Sequence, residues 1–403
     1  MAFVWAPPQP RTSTPSTRSY RVQILRGAAE LEAFDVALRT LGAAALDDNA
    51  YAAPAFMGPL LRHRAGEHPL RIALVWKDDE LVACAPFAIL PPTVRTPLPA
   101  LSTVVTEHGS PLHPVLHREH VEGALRALWD WIEGSEHPWQ LVLLDRVSAA
   151  SRFWAALAPE LARRDAPVWV REVHGRPMLA RHASFDAYLA TLPSSRRKGY
   201  RRRLRALERA GATFHLHRDL SEVPDLAERF MQLEARSWKG TSGTALLASP
   251  ADRAFFTDAV QRFAGERGLF FVELRIGGVP AAMTANFVAG RTLFAFKVAY
   301  DPVFAKYSPG IVTELEGIKR FHEEPDLLVA DSGSTAQAYV RAYFRDQAEL
   351  QWLCIATPRW AARAFVRLMP TVIGIKRTAT ALVGPEVPEP VRAPSPSWVD
   401  AGE

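Results

Sequence analysis

From residue 269 onward, apolar runs and short polar breaks alternate in an order that predicts strand, turn, strand, turn, strand, glycine turn, helix and strand. Residues 269–275 form the first run. Gly277 and Gly278 supply a turn that tolerates positive φ, 279–288 returns, and 292–300 is a third strand after the turn at Ala289 and Gly290. Lys306, Tyr307, Ser308, Pro309 and Gly310 then open a helical pattern over 311–321. A short buried strand, 327–330, ends at Asp331, Ser332 and Gly333. A strand that leads through a glycine loop into a helix presents backbone N–H groups and a positive dipole end to an anion. That arrangement suits the pyrophosphate of a nucleotide-like cofactor.

Earlier in the chain a similar order is predicted. Residues 20–25 form a strand, 29–41 an amphipathic helix with Leu31, Phe34, Leu38 and Leu41 near one face, and 51–63 a second helix or turn region broken by Pro54 and Pro59. Strands at 71–76 and 81–89 flank a polar turn. A proline-rich loop at 91–99, a helix at 120–132 and a buried strand at 141–144 ending at Asp145 follow. Hairpin, loop, helix, short strand, Asp thus occurs twice, which implies two similar α/β domains. The first copy has no short glycine loop before its helix. The second is therefore expected to bind the cofactor, with the first as scaffold and acceptor wall. The junction is placed near 168–177. After it come a helix from 185, a basic helix at 196–210, a strand at 213–217, helices at 223–238 and 251–264 around a flexible loop at 239–244, and a final helix and strand between 339 and 354. The domain ranges expected are 20–178 and 179–357, with a basic amphipathic extension at 358–383 and disordered tails at 1–19 and 384–403.

Charge changes this picture at one place. The net charge is +5, yet residues 196–209 alone carry eight basic side chains against the single acid Glu208, so the rest of the chain is about −2. The basicity is a local device. It could grip phosphate, an anionic glycan, lipid headgroups or RNA, and no RRM, KH or zinc pattern accompanies it. Cys84 and Cys354 lie in apolar runs and read as buried reduced thiols. His63, His108, His113, His117 and His120 lack metal-site spacing, so no metal is assigned. No apolar run of about 18 residues predicts a membrane span, and 1–19 lacks the apolar core of a signal peptide.

Three strings carry a resemblance. They are Glu234 through Gly240 with Thr241-Ser242-Gly243-Thr244, Phe296 through Asp301 followed by Lys306 through Gly310, and Asp331 through Ser334. With the Arg-rich helix before them they resemble the CelD-like branch of the GNAT acyltransferases, often labelled cellulose-biosynthesis proteins and related in fold to the FemAB peptidyltransferases. The likeness covers about 180–357 clearly and 20–178 weakly. It implies tandem GNAT-like domains, each a mixed, mostly antiparallel sheet flanked by helices. It also implies acyl transfer from a thioester, usually acyl-CoA (acetyl-CoA or longer), to an amine on a sugar, lipid precursor or similar envelope metabolite in the cytoplasm. The usual cofactor loop, Gln/Arg-x-x-Gly-x-Gly/Ala, is altered here: a Lys leads, one more residue precedes Gly310, and Pro309 removes a donor.

An amine attacking a thioester needs a neutral amine, a donor for the oxyanion, and a leaving thiolate that can be protonated. The anion anchor is assigned to Tyr307, Ser308, Gly310 and Ile311 with Lys306 as added charge, beside Val298; a plain helix start capped by Ser308 is the alternative. An amide on the strand 294–298, freed by a local splay, is the expected oxyanion donor. Asp331 and Glu234 are candidate bases and Tyr300 a candidate proton donor to the thiolate. The bland readings are a turn Asp, a solvated helix Glu and a rim aromatic. Lys297, Ser332, Trp238 and Lys239 are candidate substrate contacts, as are Arg197 and Arg201 of the basic helix; a solvent-facing Lys297 and an ordinary helix exit at Trp238 are the alternatives. Two other functions stay open: FemAB-like transfer from aminoacyl-tRNA, and non-catalytic binding of an anionic polymer. The segment 360–377 either docks on an anionic membrane or covers the domain's core.

Overall fold

The fold was analysed in a computed structural model, which describes residues 20–369 apart from 65, 67, 95, 135, 222–223 and 334–337. The two expected tails and the end of the basic extension, from 370, lie outside the described residues.

The first half supplies strands β1 (Tyr20–Leu25), β2 (Leu70–Lys77), β3 (Glu80–Leu90), β4 (Ala100–Thr103), β5 (Val115–Leu116), β6 (Leu141–Ser148) and β7 (Val168–Ala180). Its helices are α1 (Asp35–Ala43), α2 (Pro54–Arg64), α3 (Val121–Ile132) and α4 (Arg152–Arg163). The second half has helices α5 (Phe185–Thr191), α6 (Ser194–Arg209), α7 (Leu226–Arg236), α8 (Trp238–Thr241), α9 (Pro250–Gly265), α10 (Pro309–Glu323) and α11 (Ala338–Arg341). Its strands are β8 (Ala212–His217), β9 (Phe271–Ile276), β10 (Val279–Ala289), β11 (Thr292–Tyr300), β12 (Val329–Asp331) and β13 (Asp346–Ala356). The Gly277–Gly278 turn has positive φ at both residues, as its sequence demands.

All these strands join one sheet, ordered β1-β2-β3-β4-β6-β13-β7-β12-β11-β10-β9-β8, with β5 on β3. Each half is an antiparallel run that ends in a parallel pair, β4 with β6 and β11 with β12. The halves then exchange strands. The last strand of the first half, β7, pairs with β12 of the second, and the final strand β13 pairs with both β6 and β7. The stretch 168–177, expected as the junction, therefore lies within β7 at the centre of the sheet.

Two large cores cover opposite faces of the second half. Phe230, Phe255, Phe256, Phe271, Phe287 and Phe294 pack under α7 and α9 and join residues of α2, including Phe56, from the first half. Val272, Ala282, Leu293, Val312, Leu315 and Phe321 pack under α10 on the other face. Cys84 and Cys354 are buried free thiols.

Candidate active site

The site is built on β11. Regular alternation along this strand would send Phe294 and Phe296 to the α7 face and Lys297 to the α10 face. The register prevents that. Ala285 of β10 pairs with Lys297 and Asn286 with Ala295, so Phe296 is an extra residue with no partner on β10. This bulge puts Phe296 and Lys297 in succession on the α7 face, where Phe296 joins the aromatic core and Lys297 reaches a helix carboxylate. Val298 and Tyr300 then face α10, each beside Gly310. On its other edge β11 pairs with β12 only from Thr292 to Phe294, then continues to Tyr300 while β12 ends at Asp331. The two strands thus part just where the bulge lies.

Lys297 does not point to solvent. Its Nζ lies 3.2 Å from Glu234 Oε1, and Lys239 Nζ lies 3.1 Å from the same oxygen while donating to the Val298 carbonyl at 3.0 Å. The Leu246 amide donates to the other oxygen, Oε2, at 2.9 Å. Glu234 is fully buried at 0% exposure, which decides its state: an ionised carboxylate there needs these partners. Burial pushes its pKa up, but Lys297, Lys239 and the Leu246 amide outweigh burial and hold it below the usual carboxylate value. Burial pushes the Lys239 ammonium down; Glu234 opposes and Lys297 reinforces, and the balance lies below the ordinary lysine value. Two lysines on one carboxylate leave an excess of positive charge beside the bulge.

A second cluster closes the base of the opening. Arg176 of β7 pairs with Asp331 at 3.1 Å and also donates to Ser110 Oγ. The Gly333 amide donates to Asp331 Oδ1 at 2.8 Å. The Tyr51 hydroxyl donates to the Ala295 carbonyl at 3.1 Å. A Cβ on Gly333 would stand 2.2 Å from that same carbonyl, and its φ is +65°, so glycine is required there. Ser332, buried, donates its amide to Pro177.

The third part is the start of α10. Residues Pro302–Tyr307 form a 3-10 turn, with exposed Lys306 lying 5.0 Å from the Tyr307 ring centre. Pro309 occupies N1, but Ser308 adopts the left-handed conformation and makes no side-chain capping bond. Capping by the Ser308 side chain is thereby corrected. The amides of Gly310 and Ile311 have no acceptor within the helix and none from the cap side chain.

Other expected contacts fall elsewhere. Arg197 donates to the carbonyls of Ala190 and Leu192, closing the end of α5, and Arg201 is exposed on α6. The flexible loop expected at 239–244 instead begins inside the helical turn α8, where a Cβ on Gly240 would meet the Ala235 carbonyl at 1.9 Å. Trp238 is 46% exposed at its start. Sequence reasoning missed Tyr51, Ser110 and Arg176, which reach the site only through the packing of the halves. It also missed Asp252, which receives His108 at 2.8 Å and Arg64 at 2.9 Å near Lys297. Among the described residues no group of three or more His, Cys, Asp or Glu could hold a metal ion.

Comparison with known proteins accords with this geometry. Residues 194–367 match the family model described as an acetyltransferase (GNAT) domain. No curated protein matches the sequence. Among solved structures, FemX is similar over 79% of this chain and 95% of its own, with TM-score 0.52 and 11% identity. L-PGS from Bacillus licheniformis is similar over 84% of this chain and 96% of its own (TM-score 0.51, 12% identity). The C-terminal domain of a protein designated a lysylphosphatidylglycerol synthetase, from Agrobacterium fabrum, covers 86% of this chain and 98% of its own (TM-score 0.51, 13% identity). These likenesses concern the fold. Residues 194–367 thus form a GNAT acetyltransferase-type domain, set within a chain whose fold as a whole is similar to that of FemX.

Proposed function

We propose that the protein transfers an acyl group from a phosphorylated thioester of the acyl-CoA type to an amine. The observation that carries this reading is the bulge at Phe296 on a strand that has just parted from β12. A thioester carbonyl laid in that opening meets the amide of an extra strand residue, the kind of fixed donor an oxyanion needs. The donor's phosphates would lie at the amides of Gly310 and Ile311, with Lys306 adding charge and Ser308 and Tyr307 shaping the turn. Its arm would run back along Val298 and Tyr300, which face α10 beside Gly310.

The amine would approach on the α7 face, past Trp238 and the wall formed by Lys239 and Lys297. Positive excess there favours an acceptor that carries an acidic group near its amine. Glu234 serves this wall by holding both lysines. Asp331, anchored by Arg176 with Ser332 beside it, is the carboxylate assigned to orient the amine. The amine nitrogen bonds to the acyl carbon, the C–S bond breaks, and sulfur leaves with its electron pair. Of the two protons an ammonium must lose, one passes to solvent and one ends on the thiol, for which Tyr300 is the assigned relay. An amine of a sugar or lipid precursor of the cell envelope is the acceptor class that the CelD-like resemblance favours, and such a reaction would run in the cytoplasm or at the inner membrane's edge. No helix among the described residues is long and apolar enough to cross a membrane.

One observation favours a second reading, transfer from aminoacyl-tRNA. Lys198, Arg201, Arg202, Arg203, Arg205 and Arg209 of α6 have no acidic partner among the described residues, and α6 packs on the turn that holds Lys306. Calorimetry with CoA, acetyl-CoA, longer acyl-CoAs and tRNA separates the two. The first reading expects a CoA species to bind; binding of tRNA with no CoA species bound would replace it with the second.

A further inference from the structure

Between α10 and the strands β10, β11 and β12 lies a small cavity lined by Glu314, Thr284, Asn286, Ala295, Ala330 and Phe344 among others. The volume open to the centre of a water-sized sphere is about 10 Å³, room for about one water. Its walls are unusual for the interior of a hydrophobic layer. Thr284 and Asn286 are buried and bonded to each other at 3.3 Å. Glu314, half-buried, has no hydrogen bond or ion pair among the described residues. That contrasts with Glu234 and Asp331, whose oxygens are all engaged by cations or amides.

The cavity's position gives it meaning. Ala295 directly precedes the bulged residue Phe296, and it faces α10, as Val298 and Tyr300 do. A donor whose arm follows those two residues brings its carbonyl to Phe296, and one residue further, about 3.3 Å, lies the mouth of the cavity. We infer that this cavity receives the far end of the transferred acyl group, and that Glu314 selects a short group ending in a hydrogen-bond donor, an amine or a hydroxyl, over plain hydrocarbon. The inference rests on the thioester reading above and specifies its donor.

The physical argument is one of satisfaction. A methyl group pushed into this space would leave no room for a water and offer the carboxyl of Glu314 no partner, while Thr284 and Asn286 would keep only each other. An ammonium or hydroxyl there supplies the Glu314 carboxyl with a hydrogen-bond donor. Sites built to bond a polar substrate group discriminate strongly against the analogue that lacks it. Burial pushes the Glu314 carboxyl up to about 7, as expected of a carboxyl that lacks a cation. Among the described residues the groups around it supply none. From β10 come uncharged Thr284 and Asn286, from β11 Ala295, and from α5 the Tyr188 hydroxyl, which is bonded to the Tyr343 carbonyl. On α10 itself, Lys319 and Arg320 are taken by Glu316 and Glu323.

The test uses three thioesters of matched size, β-alanyl-CoA, 3-hydroxypropionyl-CoA and butyryl-CoA, with affinities measured by calorimetry on the full chain, so that no acceptor is needed. The wild type is expected to bind the first two at least about tenfold more tightly than butyryl-CoA. Glu314→Leu should bring all three within about threefold, and Glu314→Gln should weaken β-alanyl-CoA while sparing 3-hydroxypropionyl-CoA. Thr284→Val, a near-isosteric change, provides the same test should the Glu314 variants fold poorly, with an expected loss of at least about threefold in the preference. Equal or tighter binding of butyryl-CoA by the wild type, or a preference that survives Glu314→Leu or Thr284→Val, overturns the inference and leaves the thioester reading intact. Failure of every CoA thioester to bind overturns both.

Discussion

The two parallel pairs, β4 with β6 and β11 with β12, occupy the same place in the two halves, yet they differ in whether a gap beyond the pairing stays open. In the first half β4 stops at Thr103, one residue beyond its last pairing, Ser102 with Leu143. The chain then folds back on the gap. Thr103 Oγ1 accepts from the Asp145 amide at 3.2 Å, Leu112 bridges to Val104, and His113 bonds the Asp145 carbonyl at 2.7 Å. The helix that follows, α3, is covered at its first turn, where the Tyr20 ring lies so close to Gly123 that a Cβ would stand 2.1 Å from it. In the second half β11 runs six residues beyond Phe294, bulges, and leads to a helix start free of a side-chain cap. The difference teaches that the parallel pair alone leaves no opening. An opening requires the strand to outrun its partner and the loop to stay out of the gap.

The largest expected effect comes from stripping the charged wall that only the second half has. Glu234→Ala leaves Lys239 and Lys297 without their buried counter-charge and should cost about 3–5 kcal/mol in chemical denaturation, with acyl transfer lost. Next is Gly333→Ala, which drives a Cβ into the Ala295 carbonyl from a positive φ; a loss of about 1–3 kcal/mol is expected by the same assay. Gly310→Asp has space for its Cβ, 3.4 Å from the Tyr300 ring, but sets a negative charge at the start of α10, so CoA binding should weaken about tenfold, or ~1.4 kcal/mol.

Acid should find a distinct weak point in the second half. Burial would raise the pKa of Glu273, but His217, Arg275 and Arg229 bring it to about 2, below the ordinary 4.5. Its folded value being depressed, the stability it contributes is present above pH 4.5 and lost as pH falls from there toward 2. Glu273→Gln should flatten the acid limb of a stability–pH curve across that window. The smallest effect belongs to the closed half. Asp145→Asn removes only a partly exposed pair with Arg146 and should cost less than about 1 kcal/mol, leaving CoA affinity unchanged.

Sequence pattern reached the elements whose signals are local. The Gly277–Gly278 turn, β11 and the start of α10 at Pro309 announce themselves through turn chemistry, alternation and helix-start residues. It failed for β7, whose Gly175 and Pro177 interrupt a strand pattern and whose partners, β12 and β13, lie about 150 to 190 residues onward. It missed β4, four residues long after a run of prolines, and α4, which carries Pro159. The site divides in the same way. Lys297 and Asp331 drew notice beside apolar runs, Glu234 and Lys239 through the string that carries the resemblance, and the structure brings Glu234, Lys239 and Lys297 together. Tyr51, Ser110 and Arg176 carry no local mark, because only the packing of one half on the other delivers them. A splay within 294–298 was expected from the chemistry, but its position at Phe296 was hidden, since it exists only relative to the register of β10.

The central claim, that the opening beside β11 takes the donor and its twin beside β4 does not, is tested most directly by amide hydrogen exchange with and without a hydrolysis-resistant thioether analogue of acetyl-CoA. The account predicts slowed exchange at 296–300 and 310–312 and no change at 102–105 and 121–124. Protection confined to the first half, or none in either, would contradict it.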